Sequence, residues 1–351
     1  MTRQRRANPS LRGALPLLVA LFLGLQLVLG GVVGRTLAVF SNTQAVPSNA
    51  FTTKPDWEAP VTSSAKLVNS IGYADYLKSS GAYQVCANVT DGGNPPATPL
   101  TATSNLAVAS NVITTGATGV SLSSGAFTCD GVSYNRQSAS QTANSGLPDG
   151  ARTFEVTATD GASNSSTTNW TVTIDGTAPS ATAFATANGG ATAGKMESGD
   201  TFTVTVSEAT IDLTRIIAGW TGPSIAVNVK GFNNSATFGG NDGLAVCYGG
   251  TGSTCNVGGT GGLNILGRVN LGATTYMTGG PIFNATLAWN ASTRVFTVAL
   301  GSCTANCASV TTGGSSTGTF LTQNGSTLAG GIRDKASNGA TGSPTEVKVH
   351  F

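Results

Sequence analysis

The sequence predicts an all-β protein of two tandem sandwich modules behind an N-terminal hydrophobic helix. Three observations predict it. Thr, Ser, Asn and Gly dominate after residue 40, with 47 Gly among 351 residues and only 10 % charged residues, where soluble globular proteins carry about 25 %. Apolar and polar residues alternate with a period of two along several segments, the pattern of a half-buried strand. A strand–turn–strand pattern occurs twice, once in residues 153–175 and again in residues 331–351. No long amphipathic helical pattern stands outside the N-terminus, so helix content should be low.

The chain opens with Arg3, Arg5, Arg6 and Arg12, followed by an uncharged, Leu- and Val-rich run from Gly13 to Gly34. A basic head before an apolar run is the physical signature of membrane insertion, because Lys and Arg stay on the cytoplasmic side. The run is long enough to cross ~30 Å of hydrocarbon and exceeds the roughly 7–15 residues of a typical signal-peptide core. Residues 1–38 are expected to be a signal peptide cleaved after Ala38, where Thr36 and Ala38 give the small-residue spacing, or a retained membrane anchor. The expected location is extracellular or cell-surface, reached through the cytoplasmic membrane, with membrane contact only through residues 13–34. Residues 39–59 read as a linker.

Ala38-Val39-Phe40-Ser41-Asn42-Thr43, with Asn49, Phe51 and Thr53 after it, resembles secreted bacterial proteins of the camelysin and biofilm-fibre type. Those carry A-x-F-S-[DN]-T followed by N-x-F-x-[TA]-G, and Lys54 stands here where Gly is usual. The resemblance is confined to this segment. It implies export through a dedicated signal peptidase that cuts after Ala38, and it does not make the body a fibre subunit.

The modules are placed at residues 60–177 and 178–351, the second with a Gly-rich insertion at about 239–280. Phe154, Val156 and Ala158 alternate with polar residues, as do Trp170, Val172 and Ile174. Between them lies Asp160-Gly161-Ala162-Ser163-Asn164, and Asp334-Lys335-Ala336-Ser337-Asn338 repeats it near the C-terminus. Asp and Asn accept hydrogen bonds from turn amides and tolerate left-handed backbone. Ala59-Pro60 and Ala178-Pro179 open the modules, since Pro restricts its neighbour and cannot donate to a ladder. Ser198–Ala209 reads as an opening strand that Leu213–Trp220 extends, and Ala288–Leu300 as a hairpin turning at Ala291-Ser292-Thr293.

The pattern T-F-x-V-T-A-T-D-x-A-x-N followed by W-T-V-T-I-D-x-T-A-P, in residues 153–179, resembles bacterial immunoglobulin-like (Ig-like) domains of surface proteins. Residues 199–209 are similar to the G-D-x-[IF]-x-[VI]-x-F-S-E-P strand of S-layer and adhesin domains, with Val206 and Ala209 in place of Phe and Pro. The resemblance implies two tandem Ig-like β-sandwiches.

The cysteines are Cys86, Cys129, Cys247, Cys255, Cys303 and Cys307. An even number in an exported chain reads as disulfides, and six allow 15 pairings. Proximity favours Cys86–Cys129, Cys247–Cys255 and Cys303–Cys307. No catalytic residues are expected and the chain reads as a non-enzyme. The sole His, His350, reads as a surface side chain on a final strand, and no H-E-x-x-H occurs. The glycine runs at 249–252 and 258–262 lack the Lys and the strand–loop–helix setting of phosphate loops and read as exposed turns. Beyond the basic head no positive stripe remains for nucleic acid.

Calcium is the one cofactor the sequence leaves room for, because it takes several oxygen ligands. Asp160 with Asn164, and Asp334 with Asn338, are the candidate ligands, with Asp175 and Glu58 at the module starts. A hairpin turn that needs no metal explains the same residues. The expected function is a structural or adhesive component of a cell surface or matrix, whose partners are other surface or matrix proteins or glycans. Two alternatives stand beside it. One is a self-assembling filament subunit that donates the segment after Ala38 as a strand. The other is a carbohydrate-binding module of a secreted hydrolytic system, with Trp57 its freest aromatic, since Trp170, Trp220 and Trp289 fit core positions.

Overall fold

The structure, a computed structural model, describes residues 56–93, 96–248, 263–322 and 331–351. The expected signal or anchor segment, Ala38, most of the linker, Cys255 and the glycine runs at 249–252 and 258–262 lie outside these residues. Lys54–Phe351 forms one compact unit, so the two expected modules pack as one body. Nearly every described element is a strand, and the strands sort into two nine-stranded sheets that part between Ile174 and Ala181.

The first sheet holds β1 (Val61–Asn69), β2 (Tyr76–Leu77), β3 (Ala82–Thr90), β4 (Thr101–Asn105), β5 (Val120–Cys129), β6 (Val132–Ser138), β7 (Gln141–Thr142), β8 (Gly150–Thr159) and β9 (Ser165–Ile174). Their spatial order is β1-β3-β6-β5-β4-β8-β9-β2, with β7 on β3. Strand β5 pairs with β6 along most of its length but touches β4 only at Val120 and Ser121. The sheet folds over at that hinge and closes on Leu67, Tyr83, Val85, Leu106, Phe154, Val156 and Ile174. The period-two expectation for 153–174 describes β8 and β9: Phe154, Val156 and Ala158 are fully buried, while Thr157 and Thr167 face outward and share a 2.8 Å hydrogen bond.

The second sheet holds β10 (Ala181–Ala187), β11 (Thr201–Val206), β12 (Ser224–Ser235), β13 (Asn241–Tyr248), β14 (Leu263–Asn270), β15 (Ile282–Asn290), β16 (Val295–Ala305), β17 (Ser315–Thr322) and β18 (Thr345–Val349). Their order is β10-β11-β16-β15-β12-β13-β14-β17-β18. Phe184, Phe202, Trp220, Leu244, Phe283, Phe296 and Phe320 fill its core.

Three sequence expectations change here. The Gly-rich stretch at 239–280 supplies β13 and β14, interior strands rather than an insertion. Gly243 within it serves packing: a Cβ there would come 2.5 Å from the Phe238 ring. Leu213–Trp220 does not extend a strand. Asp212 caps a one-turn helix, α1 (Leu213–Ile216), by accepting from Arg215 N, and the turn swings Ile216, Ile217 and Trp220 into the core. His350 is not a surface residue. It is fully buried, with Nδ1 3.2 Å from Thr186 Oγ1 and 3.4 Å from Glu346 Oε2. Its ring lies between Phe184 and Tyr276 and over Gly318, where a Cβ would meet it at 2.5 Å. Burial holds its pKa below the usual value, against the pull of Glu346.

The disulfides Cys86–Cys129 and Cys303–Cys307 are formed. Cys247 is also disulfide-bonded.

Candidate metal centres at the module ends

The two D-x-A-S-N turns have the same construction. Asp160 Oδ1 accepts from Asn164 N at 2.8 Å, and Asp334 Oδ1 accepts from Asn338 N at 2.7 Å. Ser163 and Ser337 take left-handed φ of 64° and 74°, so the reversal closes within five residues. Each asparagine amide then reaches across to the segment ahead of its own module. Asn164 Nδ2 lies 3.1 Å from Asp56 O, 3.3 Å from Glu58 O and 2.8 Å from Asp160 Oδ2. Asn338 Nδ2 lies 2.8 Å from Asp175 O, 3.4 Å from Thr177 O and 2.7 Å from Asp334 Oδ2. Asn164 therefore ties the start of the first module to its closing β8–β9 hairpin. Asn338 ties the start of the second to a turn closed by the isolated Arg333–Gly339 bridge, and the hairpin expected there is not formed, because β18 pairs with β17.

Around each tie, three acids converge. Asp56, Asp91 and Asp160 place carboxylate oxygens within 4.8 Å of one another, as do Asp175, Glu208 and Asp334. Asp91 follows β3 and Glu208 follows β11, so equivalent strands contribute the third acid. Of these six acids, the sequence marked Asp160 and Asp334 as ligands and Asp175 as a neighbour. Asp56 carried a usable signal, because it stands at the same distance before Ala59-Pro60 as Asp175 does before Ala178-Pro179. Asp91 and Glu208 carried none beyond lying at strand ends. Glu58 contributes its backbone oxygen, and its carboxylate is not among the converging groups.

The second cluster lies beside the contact between the modules. The Tyr73 hydroxyl, on the turn after β1, donates to the buried Asp212 and is 2.7 Å from Thr214 Oγ1. Asn69 Nδ2 donates to Lys335 O at 2.8 Å, and Lys335 Nζ lies 5.6 Å from the Tyr76 ring centre. Burial, followed by the Asp212 contact, pushes the Tyr73 pKa up to about 12.

Charge in this cluster is poorly offset. Burial, opposed by Thr210 and reinforced by Asp334 and Asp175, pushes Glu208 up to about 7. Burial, opposed by the Asn338 bonds and reinforced by Asp175, pushes Asp334 up to about 6. Glu208 Oε1 is buried without a hydrogen-bond partner, and among the described residues no ion pair reaches Asp175, Glu208 or Asp334. Carboxylate and carbonyl oxygens are the donor set of a hard cation such as calcium, and no thiolate or imidazole is present to favour zinc. The residues fit that ion: Asp175, Glu208 and Asp334 would hold it in one cluster, and Asp56, Asp91 and Asp160 in the other.

A pH dependence follows. The folded pKa values of Glu208 and Asp334 stand above their ordinary ones. Their contribution to stability is therefore fully present below the ordinary carboxylate pKa of about 4 and is lost as pH rises through about 6 to 7. His350, with its lowered pKa, works in the other sense and loses its contribution as pH falls below about 6.5. Comparison with a variant isolates the cluster from the histidine. In chelator, Glu208→Gln should gain melting temperature over the parent at pH 8 and gain little at pH 4. An equal difference at both pH values would reject the assignment.

The aromatic residues divide unevenly. Trp57 is 77 % exposed and Trp220 only 2 %. Trp170 and Trp289 are half-buried against the two cores.

No protein-family model matches the chain, and no curated protein is similar to it at a significant level. Among solved structures it is similar to dimeric latent PorU from Porphyromonas gingivalis, at 12 % identity and a TM-score of 0.21. The match covers 74 % of this chain and 21 % of that one.

Proposed function

We propose that the protein is a non-enzymatic, extracellular structural or adhesive component of a bacterial cell surface or matrix, built of two Ig-like modules. The observation that carries the proposal is the joint between them. Tyr73, Asn69 and Tyr76 of the first module meet Asp212, Thr214 and Lys335 of the second beside the Asp175–Glu208–Asp334 cluster. Such a joint fixes the direction of one sandwich on the next, which suits a spacer that holds a binding surface away from a cell. The disulfides support an oxidising, extracellular setting. Calcium at the clusters would neutralise their charge and stiffen the joint.

Calorimetry of the purified full chain at pH 8 tests the calcium reading. Added calcium should raise the melting midpoint by several degrees, and chelator should return it. An unchanged midpoint would remove calcium from the account. Deleting the encoding gene should weaken adhesion or matrix cohesion, and wild-type adhesion in the deletion strain would reject the main proposal.

One observation favours a second reading, assembly into filaments by strand addition. Strand β18 ends the pairing order of the second sheet and leaves Val347 71 % and Val349 42 % exposed, although Glu346 and Lys348 reach from it to Thr186 of β10. The end strand of a sheet is a template for another strand. Electron microscopy of the mature protein separates the readings, with filaments favouring the second and monomers the first.

A further inference from the structure

A cavity of about 550 Å³ lies on the second sheet against β12, β13, β15 and β16, within the ~300–1,000 Å³ range of small-molecule sites. Small residues, Ala226, Ala299 and Gly301, lower its floor. At Gly301 a Cβ would come 3.1 Å from Asn284 O, and the β15–β16 register shifts between Phe283 and Ala285. Asn228 and Asn284 face each other across the β12–β15 ladder, with Thr286 beside them in the lining. Neither asparagine amide has a hydrogen-bond partner among the described residues. Tyr248, 40 % exposed at the end of β13, stands at the side.

We infer that this cavity is a binding site for a neutral oligosaccharide. Among the described residues its lining carries no charged side chain, so those residues offer nothing to an anionic or cationic ligand. A purely apolar ligand would strip water from Asn228, Asn284 and Thr286 without replacing their hydrogen bonds. A peptide adding as a strand would find no free backbone, because β12, β15 and β16 are interior strands. What remains free is two side-chain amides, each donor and acceptor at once, and a hydroxyl. That is the complement of sugar hydroxyls, which also donate and accept. Tyr248 supplies an apolar ring face with a polar tip, suited to the C–H face of a pyranose. The inference deepens the adhesive reading by naming its ligand class.

Titration calorimetry of the purified full chain with maltotetraose, cellotetraose and chitotetraose tests it. At least one should bind saturably, and Tyr248→Ala should weaken that binding about tenfold. Asn284→Ala should weaken it as well, while Thr171→Ala on the first module leaves it unchanged. All variants should melt with the parent. Failure of all three sugars to bind, or binding that survives Tyr248→Ala undiminished, would overturn the inference. Neither outcome touches the scaffold proposal, whose tests are the calcium-dependent melt and the adhesion of the deletion strain.

Discussion

Replacing Cys86 and Cys129 together by Ala should cost about 4 kcal/mol of stability, and replacing Cys303 and Cys307 together only about 2 kcal/mol. The two bonds differ chiefly in the loop they close, with sequence separations of 43 and 4. A crosslink stabilises by removing freedom from the unfolded chain, and the longer loop has more to lose. Burial adds to the contrast: Cys86 is fully buried and Cys129 is 3 % exposed, in a small cluster with Val68 and Tyr134. Cys303 is half-buried and Cys307 exposed. Urea unfolding of the parent and both double variants measures the difference. A larger loss from the Cys303/Cys307 pair would show that loop closure does not govern these bonds.

Asp242→Ala should cost about 3–5 kcal/mol and should loosen the second sheet before the first. Asp242 is fully buried. Oδ1 accepts from Asn234 N at 2.9 Å, and Oδ2 accepts from Tyr276 N at 2.9 Å and Met277 N at 3.0 Å. Tyr276 and Met277 are themselves buried, so removing the carboxylate strands donors where water does not reach, at ~1–3 kcal/mol each. Asp242→Asn retains one acceptor oxygen and should fall between parent and Ala. Hydrogen exchange reads the effect site by site: the Tyr276 and Met277 amides should lose protection in Asp242→Ala while those of Phe154 and Val156 keep it. Unchanged protection at 276 and 277 would disprove the role.

Asp242 also shows where sequence reading stops. It stands beside Asn241 and Gly243 at the start of β13, yet two of its partners, Tyr276 and Met277, lie 34 and 35 positions away. Asp91 and Glu208 escape notice for the same reason, since only the pairing of strands brings them to Asp160 and Asp334. Strands β8 and β9 were legible because their alternation is local, and the D-x-A-S-N turns because Asp and Asn bond within five residues. Strands β13 and β14 were hidden by neighbouring glycines, and the burial of His350 by a short strand whose alternation carried no cue to which face was covered. The Tyr248 cavity had no signature at all, being made mostly of Ala, Asn, Thr and Gly on β12, β15 and β16 with one Tyr from β13.

The asparagine ties have a consequence for how such a chain can vary. Each tie takes its asparagine from the module it closes and its acceptors from the segment ahead: Asn164 grips Asp56 and Glu58, and Asn338 grips Asp175 and Thr177 at the end of the first module. A duplicated copy of residues 60–177 inserted before Ala178 would carry its own clasp with it. Reach could then grow by whole-unit duplication, with every new junction inheriting its stiffness from the unit that follows.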